Sequence, residues 1–324
     1  MNVLGIETSC DETAASVVRD GKKVLSNVIS STLFLHKKYG GVVPEIAARG
    51  HLEAIAFVSQ EAIKEAKVDL EDIGLIAVTK QPGLPGALLV GLSFARALSF
   101  SLGKDLIEVD HTQAHLYSPF LDARLNRKKP KFPLVALVVS GGHTRIFYCK
   151  GFRKIQLLGQ TRDDAAGEAF DKVAKILGLS FPGGPEIDKL AKAVSRPRLH
   201  FNCARLPNSF DFSFSGIKTA VLYFVQDWQR KNPSCKLPFS LKAEIAAAFQ
   251  EAVVNVLVDK TIAACKARNV KDLIIGGGVA ANSLLRENIL QSSLKEKIRV
   301  SFSDLEFCQD NAAMIAGLAY HLRK

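Results

Sequence analysis

Short apolar runs alternate along the chain with longer segments in which apolar residues recur every three or four positions. The first pattern marks strands covered on both faces and the second marks helices with one apolar side, so their alternation predicts an α/β fold. Three strands open the chain as a meander, at residues 3–6, 14–18 and 23–30. Residues 45–66 then carry Ile46, Ala47, Ile55, Ala56, Val58, Ala62 and Ile63 at helical spacing. A strand at 75–79, a helix rich in small residues at 87–102 and a strand at 106–109 follow. The stretch RLNRKKPKFP at 124–133 holds five basic residues and two prolines with no apolar period, which makes it the candidate boundary between two lobes. Beyond it the opening motif is echoed: strand 134–139, the loop Ser140-Gly141-Gly142-His143-Thr144, then strand 145–149. This parallels VLGIETSCDETAASVV at the start and suggests a duplication. The remainder reads as an acidic helix around 162–177, a Gly/Pro turn at 182–185, a basic stretch at 192–205, long helices within 240–268, a strand at 273–275 ending in Gly276-Gly277-Gly278, and a closing helix at 311–322.

At 324 residues the chain is long enough for two domains, and with 48% hydrophobic and 23% charged residues it can bury a core in each. Its charge is uneven: residues 1–123 hold 11 Lys/Arg and 15 Asp/Glu, net −4, and residues 124–324 hold 32 and 17, net +15, which together give +11. An excess of that kind suits an anionic partner, nucleic acid above all, and equally suits a basic surface with no partner. The six cysteines contain no C-x-x-C pair, which excludes a zinc ribbon or a thioredoxin-like redox motif. No run of about 18 apolar residues marks a membrane span and the N-terminus reads as a strand, so the expectation is a cytoplasmic protein with no membrane partner.

Several groups stand where α/β sheets bind ligands, just beyond the carboxyl ends of strands. Glycines in Ser140-Gly141-Gly142 and in Gly276-Gly277-Gly278-Val279-Ala280-Ala281-Asn282 let backbone N–H groups approach a phosphate, or simply make tight turns; Asn282 either contacts a ligand or caps the next helix. His111 and His115, at i and i+4, share a helical face and form half of a metal site, although Thr112 stands where a zinc peptidase would carry its general-base Glu. Asp310, before the last helix, supplies a third ligand or an N-cap. Asp164, Glu168 and Asp171 fall at i, i+4 and i+7, where like charges repel unless a cation, a ligand or basic neighbours offset them, and Asp188 is near enough in sequence to join them. Asp11 and Glu12 follow the first strand, where they orient a metal-bound phosphate or close a capped turn.

Together these stretches resemble one family, the tRNA threonylcarbamoyladenosine transferases of the actin-like (ASKHA) superfamily. The matching motifs are GIETSCDET at 5–13, GGVVPEIAARGHL at 40–52, PGLPGALLVG at 82–91, the histidine pair at 111–115, VVSGGHT at 138–144, DDAAGEAFDKVAKILGL at 163–179, PGGPEID at 182–188, FSFSGIKTA at 212–220, GGGVAAN at 276–282 and DNAAMIA at 310–316. The resemblance implies two actin-like, ribonuclease-H-like lobes with a nucleotide cleft between them: 1–123 with about 311–324, then 131–310, joined by a basic linker at 124–130. It implies transfer of a threonylcarbamoyl group from threonylcarbamoyl-AMP to the adenosine beside the tRNA anticodon. His111, His115 and Asp310 would ligate iron or zinc. Val138, Val139, Ser140, Gly141, Gly142, Asp171, Gly184, Asp188 and Asn282 would hold the adenylate, with Asp11 and Glu12 as an acidic pair near its phosphate. The partners implied are tRNA, an inactive paralogue of the same fold (TsaB-type) and a small ATPase (TsaE-type). For tRNA the basic stretches 124–131 and 192–205, with Arg230, Lys231 and Lys236, are the candidate contacts. Two positions depart from the family pattern: Gln113 stands where many relatives carry Glu, and Gln81 where Gly precedes Pro82-Gly83. A nucleotide-binding scaffold, a metallopeptidase and a sugar or acetate kinase are the rival readings of the same loops.

Overall fold

A computed structural model describes residues 1–36, 39, 41–121 and 129–323. Residues 124–128 of the expected linker lie outside the described residues. The chain forms two compact units, one of Met1–Lys129 with Ser303–Lys324 and the other of Pro130–Phe302.

In the first unit the strands are β1 (Asn2–Glu7), β2 (Glu12–Arg19), β3 (Lys23–Val24) and β4 (Val28–Ser31). The short helix α1 (Leu33–His36) and the long α2 (Pro44–Ala66) follow, then β5 (Ile73–Gln81), α3 (Pro85–Leu102), β6 (Leu106–Asp110) and α4 (His111–Tyr117). The expected strand at 23–30 is thus two strands, both paired antiparallel with β2. In the second unit come β7 (Leu134–Val139), β8 (Thr144–Gly151), β9 (Lys154–Gln160), α5 (Ala166–Ile176), α6 (Gly183–Ala191), α7 (Ser215–Lys231), α8 (Phe239–Ala267), β10 (Asp272–Gly276), α9 (Ser283–Lys295) and β11 (Arg299–Phe302). The chain then returns to the first unit as α10 (Ala312–Leu322).

The two sheets have one topology. Strand order is β3-β2-β1-β5-β6 in the first and β9-β8-β7-β10-β11 in the second. In each, the central strand (β1 or β7) pairs antiparallel with the next in sequence (β2 or β8) and parallel with β5 or β10, which is parallel to β6 or β11; the first sheet adds β4 beside β2. The duplication that the opening echo suggested is therefore present in the strand order. Parallel strands need cover on both faces, and β7 is buried at all six positions.

Helix α10 lies on β1, and the contact is made through a glycine. A Cβ on Gly5 would fall against the Ala312 carbonyl and the Ala316 backbone nitrogen. Among the described residues one helix, α3, has the length and composition to cross a membrane; it packs on α2 and β5 along one side, and its Arg96 is paired with Glu108. The expectation of no such run missed it because serines and Arg96 interrupt the apolar residues. We expect Gly5→Ala to destabilise the protein by about 1–3 kcal/mol through overpacking. Gly141→Ala, where a Cβ meets nothing within 4 Å, serves as the control in thermal or urea denaturation; equal midpoints for the two variants would contradict the close packing of α10.

Candidate metal centre and nucleotide loops

Helix α4 starts at the carboxyl end of β6, where Asp110 caps it by accepting from the Gln113 amide at 3.0 Å. That start puts His111 in the first turn and His115 one turn on, with their Nε2 atoms 3.2 Å apart. The third group arrives from the other end of the unit's chain. Asn311, not Asp310, caps α10 through the Met314 amide. Asp310 instead sets Oδ1 at 3.2 Å from His115 Nε2 and 3.4 Å from His111 Nε2. Both histidines are buried.

Glu7, the last residue of β1, is fully buried. Its oxygens accept from the Ser9 amide and the Thr79 hydroxyl, each at 2.5 Å, and Oε2 lies 3.0 Å from His111 Nδ1. Burial alone would strip the proton from His111, yet the Asp310 and Glu7 carboxylates outweigh it and hold that imidazole well above the usual histidine range. Burial opposes the charge on Asp310 too, and His111 with His115 overcomes it, leaving the carboxyl well below its usual range. Nearby, burial together with the charges of Asp310, Asp11 and Glu7 pushes Glu12 up to about 9. Burial likewise raises Asp11.

The donor set fits a transition-metal ion. Two imidazole nitrogens and a carboxylate oxygen suit iron or zinc, and a tetrahedral ion with bonds of about 2.0–2.1 Å spaces its ligands about 3.3–3.4 Å apart. The observed 3.2, 3.2 and 3.4 Å separations match. Glu7 on the far nitrogen of His111 is the orienting carboxylate such ligands take. The carboxylate beside the histidines thus comes from Glu7, with Gln113 contributing its backbone amide to the cap of α4.

In the second unit the sequence-predicted residues come together at the carboxyl ends of β7 and β10. Val138 and Val139 are fully buried strand residues, so their side chains belong to the core. The loop after them closes on itself, Ser140 amide to His143 carbonyl at 2.8 Å, and is held to α5 by the Gly167 amide on the Ser140 carbonyl at 3.2 Å. Asp171 accepts from the Gly183 amide at 2.7 Å, tying α5 to α6. Asp188 accepts from the Ser283 hydroxyl at 2.7 Å, tying α6 to α9. Asn282 caps α9 through the Leu285 amide and donates to Gln250 at 2.9 Å.

The expected acidic face does not form. Helix α5 begins at Ala166, so Asp163 and Asp164 precede it. Asp163 accepts from the Phe214 and Ser215 amides at the start of α7. Asp164 pairs with Lys172 and Lys218, and Glu168 pairs with Lys172, so basic neighbours offset these charges.

The glycines fall into two kinds. A Cβ on Gly277, whose φ is +93°, would lie 2.5 Å from the Val139 carbonyl, and one on Gly183 2.7 Å from the Asp171 Cα; these two let the loops meet. At Gly141, Gly142, Gly184 and Gly278 a Cβ would meet nothing within 4 Å. Packing does not demand glycine at those four, and the bare backbone they leave is the surface a phosphate can approach.

Comparison with known proteins decides the family. The TsaD profile, described as tRNA N6-adenosine threonylcarbamoyltransferase, matches residues 23–317. A Clostridium perfringens protein named tRNA N6-adenosine threonylcarbamoyltransferase is 50% identical over 323 residues, 98% of this chain and 91% of its own. The chain belongs to the TsaD family. Its activity class is accordingly that of a tRNA-modifying transferase. Solved structures agree on the actin-like fold at low identity. The ROK-family glucokinase of Streptomyces griseus gives a TM-score of 0.53 at 12% identity, covering 98% of each chain. HypF of T. kodakarensis gives 0.60 at 14%, covering 99% of this chain and 47% of its own.

The site residue that the sequence reading missed is Glu7. A charged side chain ending an otherwise apolar strand was the signal for it, since such a residue is buried only with partners. Two outcomes are expected. Glu7→Gln should weaken iron or zinc binding about 10–100-fold in a chelator competition, and unchanged affinity would remove Glu7 from the site. Metal uptake near pH 7 should expel the proton held on His111, so that apparent affinity rises with pH. Calorimetric heats that do not vary with the buffer's ionisation enthalpy would contradict that exchange. By the same shift the imidazolium stabilises the metal-free fold fully below pH 6.5, and this contribution disappears as the pH climbs through the higher folded-state value.

Proposed function

We propose that the protein transfers a threonylcarbamoyl group from threonylcarbamoyl-AMP to N6 of the adenosine adjacent to the anticodon, in tRNAs reading codons that start with A, forming threonylcarbamoyladenosine. The observation that carries this reading is the pairing, in one TsaD-family chain, of a His-His-Asp trio with glycine loops whose bare backbone is not used in packing. In the reaction the adenine N6–carbonyl bond forms and the bond from that carbonyl to the AMP phosphate oxygen breaks. The electron pair leaves with AMP, and N6 gives up one proton.

Each part of the chain has a task in this step. The Ser140-Gly141-Gly142 loop and Gly184 receive the adenylate, and Asp171, Asp188 and Asn282 hold the loops that frame it through the bonds described above. Backbone N–H groups of those loops would stabilise the charge that the leaving phosphate gains. His111, His115 and Asp310 would hold one iron or zinc ion, which when bound supplies a Lewis acid for a carbonyl or carboxylate oxygen of the donor. To Asp11 and Glu12, whose affinity for protons burial raises, we assign the proton that N6 loses.

For tRNA we assign exposed basic residues of the second unit, Lys192, Arg196, Arg198, Lys231 and Lys236. The paralogue of the same fold is assigned to the apolar residues that α2 and α3 leave exposed, Leu52, Phe57, Leu89 and Phe100, and the small ATPase completes the set. Free cysteines suit a reducing cytoplasm. The test supplies threonylcarbamoyl-AMP and unmodified tRNA with and without the partner proteins, and follows the modified nucleoside by mass spectrometry. We expect product from the complete set and at least a hundredfold loss with His111→Ala, on the order expected when a catalytic electrostatic group is removed. A folded His111→Ala protein that has lost its metal and still transfers at the normal rate would overturn the reading.

A further inference from the structure

The motif at 40–52 has no part in the chemistry above, yet its histidine is as buried as His111 and His115. His51, in α2, is fully buried. Its Nε2 lies 3.0 Å from the Cys10 carbonyl and its Nδ1 2.8 Å from the Thr13 hydroxyl. A carbonyl only accepts, so Nε2 carries the proton. Burial keeps the ring from taking a second one, and Nδ1 therefore accepts from Thr13.

A second histidine works on the next peptide. The Val43 amide donates to His36 Nδ1 at 3.2 Å, which leaves the His36 proton on Nε2. That nitrogen is 3.1 Å from the Thr32 hydroxyl, and the hydroxyl in turn donates a hydrogen bond to the Asp11 carbonyl at 2.9 Å. The Thr32 amide donates to the same carbonyl at 3.1 Å. The two clamps share a seam, because a Cβ on Gly50 would strike the Thr32 methyl. Glycine there lets α2 bring His51 and Thr32 to one side of the loop.

The Cys10 and Asp11 carbonyls belong to the two peptide planes that flank the Asp11 Cα. Peptides are planar, so fixing both planes fixes φ and ψ of Asp11 and the direction in which its side chain leaves the backbone. We propose that His51, and His36 acting through Thr32, are positioning residues that set the Asp11 and Glu12 carboxylates for transfer. This rests on the role given to that acidic pair under the proposed function.

The experiment is steady-state transfer with the complete set of partner proteins, measured with metal content and melting temperature on the same preparations. His51→Phe and Thr32→Val are expected to lower kcat about 10–100-fold, the scale of a misplaced reacting group, with KM for donor and tRNA within about twofold and metal content unchanged. His51→Gln, whose amide can still donate to the Cys10 carbonyl, should recover most of the rate. Thr32→Val carries the test if His51→Phe does not fold. Asp11→Asn and Glu12→Gln are assayed beside them. Full activity in that pair would overturn the acidic-pair reading and the clamp with it. Loss in that pair beside full activity in His51→Phe and Thr32→Val would overturn the clamp alone. A rate loss that His51→Gln does not recover, or one that follows the melting temperature, would also overturn it.

Discussion

Glu7 is a carboxylate with no exposed surface, and three donors replace the water it has lost. The donors are the Ser9 amide, the Thr79 hydroxyl and the His111 ring, from the loop after β1, from β5 and from the first residue of α4. A buried charge is stable only when its partners are complete, and removing one costs far more than the bond itself. One side chain therefore holds three chain segments at one edge of the sheet. The orientation of His111, the course of the 8–11 loop and the start of α4 all depend on it. The metal trio is built outward from this carboxylate: His111 faces it with one nitrogen and turns the other toward His115 and Asp310.

Each of the two sheets gathers its working parts at the carboxyl edge of its parallel strands, and the two edges carry opposite chemistry. In the first unit the edge holds side chains: Glu7, Thr79 and the histidines beyond Asp110. In the second it holds backbone, with the functional side chains spent on tying loops together. Asp171, Asp188 and Asn282 link α5 to α6, α6 to α9 and α9 to α8. Adjacent glycines divide the labour. Gly183 and Gly277 let backbones meet, and Gly184 and Gly278 beside them leave backbone uncovered. One topology thus carries a cluster of buried ionisable side chains at one carboxyl edge and uncovered backbone at the other, without changing its strand order.

Periodicity predicted the buried strands β1, β2, β5, β6, β7, β8 and β10 and the helical character of 45–66, 87–102 and 240–268, because buried strands and one-sided helices leave regular marks on a sequence; it did not mark the more exposed β9 and β11 or helix α7, and 240–268 is one helix. Single-residue choices were not readable in that way. Asp310 and Asn311 both suit a helix cap, and only the register of α10 gives the cap to Asn311 and the carboxylate to the histidines. The acidic face expected at 164, 168 and 171 assumed a helix that had already begun. Thr161 bonds the Asp164 carbonyl and holds that residue in the turn before α5. The partnership of Glu7 with His111 spans 104 residues, and no local pattern encodes it. The family motifs located nearly every group, but they did not say which atoms were occupied by the protein itself.

Charge sets the last constraint. Glu7, Asp11, Glu12 and Asp310 bring four carboxyl groups close to two histidines in the first unit, and the donor proposed for this protein is itself an anion. Such a cluster repels an anion unless cations or protons neutralise it. Protons supply part of that: the carboxylates hold one on His111, and burial with the neighbouring charges raises Glu12 to about 9. His111, His115 and Asp310 would hold a divalent cation in place of the His111 proton, and positive charge there would weaken the hold of Glu12 on its own. Loading would then leave His111 as a ligand and Glu12 as a carboxylate able to take a proton. The negative charge that suits the trio to a cation is thus the same charge that raises Glu12 and would keep it from acting as a base until a cation offsets it.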